Sequence, residues 1–386
     1  MNNDVFIIEA KRTPIGSFLS NLSSLNALEL LNECTKELFN CVKMEDINEI
    51  YIGNVLSAGI GQNIAGQLGN IINKTAPSTT INRVCGSGMV SIIEGIKSIR
   101  LEDTNCVLVG GVESMSNAPF ILKNNRIGKK YGNIELLDSI LCDGLTDYTN
   151  NKHMGEITEN ICSIYNISRS EQDDYTKMSY NKARSAIKNK KFEKELSSIN
   201  IKNKIIYEDE EINKVSDLSK VDSLKPCFDT NGTITPANAS KLSDGASLLI
   251  LASKKFIKDN NITPIAKIIG YNMYEDESSL FPIAPINSIT QLCKKYSYNV
   301  KDIDIFEINE AFAVCPILCH KNLNIPYDKI NIYGGAISLG HPIGCSGARI
   351  VTTLVNGLIN EEKKIGCASI CNGGGGATSI LIERYI

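Results

Sequence analysis

Two stretches of the chain carry the same order of predicted elements, and this internal repeat constrains the fold more than any other feature. Apolar spacing in the first stretch predicts helix, strand, helix and strand, in that order, over Leu28–Leu38, Ile50–Val55, Met89–Ile99 and Cys106–Val109. The second stretch predicts the same four elements over Ser288–Tyr296, Ile303–Ile308, Ala348–Ile359 and Ile365–Ile370. A cysteine opens the second helix of each stretch, and glycines follow the last strand, 25 residues later in the first (85 to 110) and 28 in the second (345 to 373). The repeat predicts a duplicated α/β protein.

Helices that alternate with short apolar strands need crossover connections, and these favour mostly parallel sheets covered by helices on both faces. Residues 117–240 separate the two stretches and are richer in charged residues and Asn. We therefore expect an inserted loop region there, with a helix over Glu171–Asn189.

Composition excludes several classes of function. The 386 residues include 40 Lys and Arg against 43 Asp and Glu, so no excess of positive charge is available to hold a nucleic acid. Apolar runs such as Leu248–Ala252 fall far short of the roughly 20 residues that span a bilayer. Thirteen cysteines at irregular spacing, with no visible export signal, predict free thiols and a cytoplasmic protein, or a mitochondrial one if a presequence was removed.

The strongest chemical signal is Cys85, which lies in the segment Asn82–Gly88 just before a predicted helix. Backbone N–H groups and the helix dipole at such a position favour the thiolate, the form of cysteine that attacks a carbonyl carbon. The alternative is a small buried residue in a tight turn.

Two further reactive residues lie beside glycines. His341 is in the glycine-rich segment Gly334–Gly344, where it is either a catalytic imidazole or a helix cap. Cys371 precedes Gly373–Gly376, whose amides either form an oxyanion hole or only a tight turn.

Taken together, these motifs resemble the thiolase family, and most closely its acetoacetyl-CoA (biosynthetic) branch. The resemblance covers nearly the whole chain, and the motifs that carry it occur in family order at Val5–Gly16, Cys85–Gly88, Gly110–Ser116, His153–Gly155, Asn238–Ser240, Asn309–Phe312, Gly334–Gly344 and Ile365–Cys371.

The resemblance implies an α/β thiolase fold with two βαβαβαββ halves packed in five layers, plus a loop domain. The implied N-terminal half comprises residues 1–116 and 241–265, the loop domain 117–240, and the C-terminal half 266–386. It also implies a homodimer or homotetramer.

The resemblance further implies a reaction: the reversible condensation of two acetyl-CoA molecules to acetoacetyl-CoA and CoA, through an acetyl-cysteine and with no required cofactor. Cys85 is the implied nucleophile, His341 its activator, and Cys371 the acid and base that takes a proton from the second acetyl-CoA. Asn309 orients a water that stabilises the enolate oxygen together with His341. The N–H groups of Cys85 and Gly373 bind the other oxyanion.

The resemblance also implies the residues that hold the substrate. His153 and Met154 line the pantetheine pocket, Phe228 and Ser240 contact CoA, and Lys220 approaches its nucleotide end. Without the resemblance, His153 could equally be a surface loop histidine.

A possible K⁺ activator follows from similarity to the potassium-activated mitochondrial members. Its implied ligands are the Tyr180 hydroxyl and the backbone carbonyls of Pro236, Ala237, Ala239 and Ile337. Pro236 departs from the usual residue, but proline lacks only the N–H and keeps its carbonyl.

Three alternatives to the condensing enzyme stay open. One is a degradative 3-ketoacyl-CoA thiolase for longer chains, which His153 argues against. Another is a ketoacyl synthase, which Cys371 and Asn309 argue against. The last is a non-catalytic acyl-CoA or lipid carrier. The segment Cys315–His320 superficially suggests a metal site, but its spacing predicts core thiols on an apolar helix.

Overall fold

The strands of the N-terminal part of the chain form one side of a large mixed sheet. The computed structural model describes residues 3–72 and 76–385. Its first elements are β1 (Val5–Arg12), β2 (Gly16–Ser17), α1 (Ala27–Thr35), β3 (Glu49–Gly53), α2 (Ile64–Ile71), β4 (Ser78–Ile81), α3 (Ser87–Arg100) and β5 (Cys106–Ser114). The fifth long strand of this side is β10 (Ser243–Ser253), which α7 (Lys254–Asp259) follows. The spatial order is β1-β10-β5-β3-β4.

The C-terminal part of the chain forms the other side of the sheet. Its elements are β11 (Ala266–Tyr274), α8 (Ala284–Tyr296), β12 (Ile305–Ile308), α9 (Val314–Leu323), α10 (Ala336–Leu339), α11 (Ile343–Asn360), β13 (Ile365–Asn372) and β14 (Gly376–Arg384). Their strand order is β12-β13-β14-β11. Residues 5–7 of β1 pair with residues 266–268 of β11, which joins the two sides edge to edge.

The prediction of mostly parallel sheets is wrong, because the central strands run antiparallel to their neighbours. β3 is parallel to β4 and β5, and β12 is parallel to β13, but β10 and β14 are antiparallel to both of their partners. The physical reason is clearest between β13 and β14, where a tight turn rather than a helical crossover joins the strands. Gly374 and Gly375 in that turn have φ of +94° and +92°, a region that favours glycine.

Side chains that alternate along the strands pack on helices at both faces of the sheet, which gives the five layers that the resemblance implies. Phe6 and Ile8 of β1 face an outer cluster with α1 and α2, whereas Val5 and Ile7 face a central cluster with α3 and α11. The far face of the C-terminal strands packs on α8 and α9, with Phe306 in that cluster. The order of layers is therefore helices, sheet, paired helices, sheet and helices.

The two central helices approach each other through glycines. A Cβ placed on Gly347 of α11 would lie 2.4 Å from the Met89 backbone nitrogen, and one on Gly88 of α3 would lie 2.8 Å from the Gly344 carbonyl oxygen. Only glycine permits this contact. Since Cys85 lies just before α3 and His341 just before α11, the crossing brings these two residues together.

The equivalence of Cys345 and Cys85 suggested by the repeat is wrong in detail. α11 begins at Ile343, so Cys345 lies inside the helix and is buried. By contrast, the helix predicted in the insertion is confirmed as α5 (Arg169–Lys188), which starts at Ser168 with a capping box to Glu171.

The segment between β5 and β10 covers one end of the molecule. Its elements are β6 (Phe120–Ile121), β7 (Leu137–Asp138), α4 (Met154–Ile164), α5, β8 (Ile199–Ile201), β9 (Lys204–Ile206) and α6 (Glu211–Lys214), with a π-helical turn at Ile140–Leu145. Arg12 of β1 anchors it through fully buried ion pairs of 2.6 Å to both Glu195 and Asp209. Across residues 3–72 and 76–385, no helix has both the length and the apolarity to cross a membrane.

Candidate active site

A cavity of about 610 Å³ opens where α3, α11 and β13 meet the inserted segment. Eight of the residues predicted for catalysis or substrate binding line it: Cys85, His153, Met154, Phe228, Ser240, His341, Cys371 and Gly373. Asn309 lies behind the wall, next to His341. The wall is mainly apolar, as expected of a site that excludes water from a reacting group.

Cys85 follows a strained residue. Val84 has φ of +49°, a conformation that a β-branched residue seldom adopts, and α3 begins at Ser87. This sharp turn leaves the thiol on the cavity wall, where the Gly373 N–H donates to its sulfur. The Cys85 N–H also favours the thiolate.

The expectation that Cys85 is held as a thiolate is wrong for the resting site. Burial raises the pKa of the Cys85 thiol to about 12, more than the Gly373 and Cys85 N–H groups lower it. Because α3 starts two residues after Cys85, its dipole does not overcome this desolvation. The thiol therefore needs a base.

His341 has the geometry of that base. Ser346 donates its hydroxyl proton to the Pro342 carbonyl at 2.9 Å, so its oxygen accepts from His341 Nδ1–H at 2.5 Å. We assign the proton to Nδ1, which leaves a lone pair on Nε2, 3.5 Å from Asn309 Nδ2. Burial, aided by the charge of Arg349, lowers the pKa of His341 to about 3. The imidazole is therefore neutral at pH 7 and can accept a proton at Nε2.

Cys371 ends β13 and is almost fully buried. Its sulfur lies 4.0 Å from the sulfur of Cys315, on α9. This contact with Cys315, together with burial, raises the pKa of the Cys371 thiol well above its usual range. Cys371 is therefore a neutral thiol at rest, available as a proton donor.

Aromatic rings form one wall of the cavity. The ring of His153 stacks on Phe228 with centroids 4.7 Å apart, and Phe228 meets Phe312 edge to face at 6.2 Å. Gly155 makes room for this stack, since a Cβ there would lie 2.4 Å from the Phe228 ring. His153 Nδ1 accepts the Gly155 N–H at 3.0 Å, and burial lowers the pKa of His153. This half-buried position contradicts the surface-loop alternative.

Glu113 fixes the start of α11, which begins two residues after His341. This buried carboxylate at the end of β5 accepts from the Gly344 N–H at 3.0 Å, and from the backbone N–H groups of Val55 and Leu56 at 3.0 and 3.1 Å. Burial raises the pKa of Glu113 to about 7, against the lowering effect of these N–H groups. Glu113 thus joins the two halves directly beside His341.

The predicted K⁺ site does not fit the structure. The carbonyl oxygens of Pro236, Ala237 and Ala239 accept from Lys241 Nζ at 2.5, 3.3 and 2.8 Å. The Tyr180 hydroxyl contacts Glu211 instead, at 3.4 Å. Ile337 is buried beside Glu310, to which its N–H donates. An ammonium group already uses the carbonyl oxygens that a K⁺ ion would need.

Two further predicted features fall outside the cavity. Lys220 is exposed on a 3₁₀ turn and does not line the wall. His320, from the segment Cys315–His320, stacks on Tyr327 and bonds the Ile325 carbonyl at 2.7 Å. Within the described ranges, no three His, Cys, Asp or Glu side chains form a group that could hold a metal ion. Cys315 and Cys319 are fully buried on α9, as the core interpretation of this segment predicts.

The sequence reasoning missed four contributors to the site: Ser346, Cys315, Phe312 and Lys241. Phe312 was visible as part of the motif Asn309–Phe312, and Lys241 as a cation directly after Asn238–Ser240. Ser346 and Cys315 carried no signal, because their contacts arise only when α9 and α11 are placed against β13 and His341.

Comparisons with known proteins agree with this geometry. Residues 5–255 match the family "Thiolase, N-terminal domain", and residues 262–384 match "Thiolase, C-terminal domain". An acetyl-CoA acetyltransferase of Schizosaccharomyces pombe is 40% identical over 394 residues, which cover 100% of both chains. The crystal structure of an Ascaris suum thiolase in complex with coenzyme A superimposes with a TM-score of 0.95 at 40% identity, over 99% of this chain and 100% of that one. The crystal structure of human mitochondrial 3-ketoacyl-CoA thiolase superimposes with a TM-score of 0.96 at 35% identity, over 100% of this chain and 99% of that one. The chain belongs to the thiolase family.

Proposed function

We propose that the protein is an acetyl-CoA acetyltransferase that condenses two acetyl-CoA molecules reversibly to acetoacetyl-CoA and CoA. The observation that carries this proposal is a neutral imidazole with an unprotonated Nε2, on the same cavity wall as two protonated thiols. Relatives from several organisms named acetyl-CoA acetyltransferase, at 40 to 43% identity over nearly the whole chain, support the same activity.

The first half-reaction acetylates Cys85. His341 Nε2 takes the thiol proton while the sulfur attacks the thioester carbonyl, and the N–H groups of Cys85 and Gly373 stabilise the oxyanion. The bond from the carbonyl carbon to the CoA sulfur then breaks, and Cys371 gives its proton to that sulfur. Acetyl-Cys85, an imidazolium and the Cys371 thiolate remain.

The second half-reaction uses this charge pair. The Cys371 thiolate takes a proton from the methyl group of a second acetyl-CoA, and the enolate oxygen is stabilised by the imidazolium of His341 with a water held by Asn309. Asn309 Oδ1 is buried and has no hydrogen-bond partner among the described residues, which suits it to accept from that water. The enolate carbon attacks the acetyl group, and the departing Cys85 sulfur recovers its proton from His341. Every group returns to its resting state.

The substrate supplies its own binding handle, so the reaction needs no cofactor. We assign the stacked wall of His153 and Phe228, with Met154 and Ser240, to the pantetheine arm of CoA. A rigid apolar slot lowers the entropy lost when a two-carbon acyl group is positioned.

We also propose the three-part division implied by the resemblance (1–116 with 241–265, 117–240, and 266–386) and a homodimer or homotetramer. Five large apolar side chains between residues 120 and 136 are more than half exposed and support assembly: Phe120, Ile127, Tyr131, Ile134 and Leu136. Light scattering of the purified protein tests this, and a monomeric mass would contradict it.

None of the thirteen cysteines, each within the described residues, forms a disulfide, as predicted from their spacing. Free thiols support a reducing compartment. We propose the cytosol, with the mitochondrion as the alternative. Subcellular fractionation tests this proposal.

The activity is tested by thiolysis of acetoacetyl-CoA with free CoA, run in parallel with a long-chain 3-ketoacyl-CoA. We expect kcat/KM to favour acetoacetyl-CoA by about tenfold or more, the scale on which pocket fit separates substrates. A preference for the long chain would instead indicate a degradative thiolase. CoA binding without turnover of either substrate would indicate a carrier.

A further inference from the structure

The side chain of Lys241 ends inside a ring of backbone oxygens. An ammonium group has three N–H donors, and three carbonyls accept them here, those of Pro236, Ala237 and Ala239. All of its donors are used within the protein, so Lys241 is not free to bind a phosphate of CoA, although it lies at the cavity wall.

The loop that Lys241 closes is held between two parts of the reaction centre. The Ser240 N–H donates to the Ala311 carbonyl at 3.0 Å, and Ala239 pairs with Phe312. On the other side, the His341 N–H donates to the carbonyl of Lys241 itself at 3.0 Å. A change in this loop therefore reaches both the substrate wall and the imidazole.

Two nearby carboxylates favour a positive charge in this ring of carbonyls. The carboxylates of Glu211 and Glu310 are buried and interact electrostatically with Lys241. Glu310 is held by Tyr175 and Ser179 at 2.8 and 2.9 Å, and Glu211 accepts from the Ser17 hydroxyl at 2.9 Å, so both carboxylates are fixed near Lys241. A cation in the ring compensates these charges.

We propose that Lys241 is a built-in cation, which occupies the carbonyl ring that would otherwise bind K⁺ and positions Ser240 and His341. Rings of carbonyl oxygens also satisfy K⁺, so the two cations are chemical alternatives for the same oxygens. The consequence is a thiolase whose activity does not depend on the monovalent cation in solution. The activity readout rests on the proposed function.

The experiment compares the wild-type protein, Lys241→Ala and Lys255→Ala in K⁺, Na⁺ and methylammonium chloride at equal ionic strength. Lys255 follows the opposite end of β10 and pairs only with Asp259 on the surface, which makes it a matched control. We expect the wild-type and control proteins to show the same thiolysis rate in every salt. Lys241→Ala should lose about 10- to 100-fold in kcat/KM in Na⁺, the cost of misplaced groups, and regain much of it in K⁺ or methylammonium.

A second measurement is independent of turnover. The unfolding temperature of Lys241→Ala should be higher in K⁺ than in Na⁺, because a bound ion stabilises the folded state, whereas the wild-type and control proteins should not differ between the salts. Lys241→Gln, which keeps an amide donor, serves if the alanine variant does not fold.

Activation of the wild-type protein by K⁺ would overturn the inference. So would full activity of Lys241→Ala in Na⁺, or an impaired variant that no cation restores in rate or unfolding temperature. A wild-type protein that is inactive in all salts would overturn the proposed function instead, while the unfolding temperatures would still test the built-in cation.

Discussion

Two cysteines at the same cavity occupy contrasting environments. Cys85 sits on a strained turn beneath Val84, is partly exposed, and takes an N–H bond from Gly373. Cys371 is part of a strand, is almost fully buried, and contacts a second thiol, that of Cys315. One thiol is presented to a carbonyl carbon with an N–H group beside it, and the other is enclosed in an apolar wall.

In the proposed mechanism the two cysteines have different roles because the backbone places them differently, although their residue type is the same. A nucleophile needs access and an adjacent oxyanion site, which the turn before α3 provides. A proton carrier needs a fixed position and a pKa that lets it give a proton away and take one back. In the proposed mechanism His341 takes the Cys85 proton at Nε2, because the Ser346 hydroxyl accepts from Nδ1–H.

The largest effect is expected for Cys85→Ala. Without the nucleophile, thiolysis and condensation should both fall about 10⁴-fold or more, as when a catalytic nucleophile is removed. Steady-state rates in both directions check this. Cys293→Ala, a buried cysteine in the outer cluster on α8, is the control and should keep its activity. Substantial turnover by Cys85→Ala would contradict the assignment of Cys85, and not Cys371, as the nucleophile.

Cys371→Ala should lose about 10²- to 10⁴-fold in condensation, the contribution of a general acid and base. Acetylation of Cys85 should fall much less than condensation, because a CoA thiolate can leave, more slowly, without the proton that Cys371 gives it. Rapid quenching of the two half-reactions separates the rates. Equal loss in both halves would contradict the assignment of Cys371 as the base of the second half-reaction.

Ser346→Ala should reduce kcat about tenfold, the worth of one hydrogen bond to a group that becomes charged. The loss follows because, among the residues that the structure describes, only the Ser346 hydroxyl accepts the Nδ1 proton of His341. Steady-state kinetics check the prediction, and Ser346→Thr, which keeps the hydroxyl, should recover most of the rate. An unaffected alanine variant would contradict the assigned tautomer.

Cys315→Ala should have the smallest effect on rate, below about threefold, since a thiol is a weak donor. Its signature is a shift in the pH profile. The contact with Cys315 raises the pKa of Cys371, so its removal lowers that pKa. The acetylation rate, which protonated Cys371 assists by giving its proton to the departing CoA sulfur, should then decline at a lower pH than in the wild-type protein. An unchanged pH profile would show that Cys315 does not influence the pKa of Cys371.

The sequence singled out Cys85, His341 and Cys371 because each lies in a short glycine-flanked motif, and the structure places all three at one cavity. Their catalytic roles stay predictions. The helix predicted over Glu171–Asn189 is confirmed as α5, and the capping box between Ser168 and Glu171 shows that its start is set by a local interaction. Strand direction was mispredicted, since a hairpin at Gly374 and Gly375 replaces the expected crossover.

Charge states and long-range contacts were not predictable from the motifs. The thiolate expected at Cys85 failed because burial, a property of the folded chain, outweighs the local N–H groups. The K⁺ ligands were implied by similarity to the potassium-activated members, which does not reveal that the Lys241 side chain turns back onto these carbonyls. Both errors concern where charge resides, and both depend on tertiary packing.

The most direct test of the two-thiol account is the mass of each variant after incubation with acetyl-CoA alone. The account predicts one acetyl group on Cys371→Ala, located at Cys85 by peptide mapping, and none on Cys85→Ala. An acetyl group on Cys371 of the Cys85→Ala protein, or no acetyl group on Cys371→Ala, would contradict it.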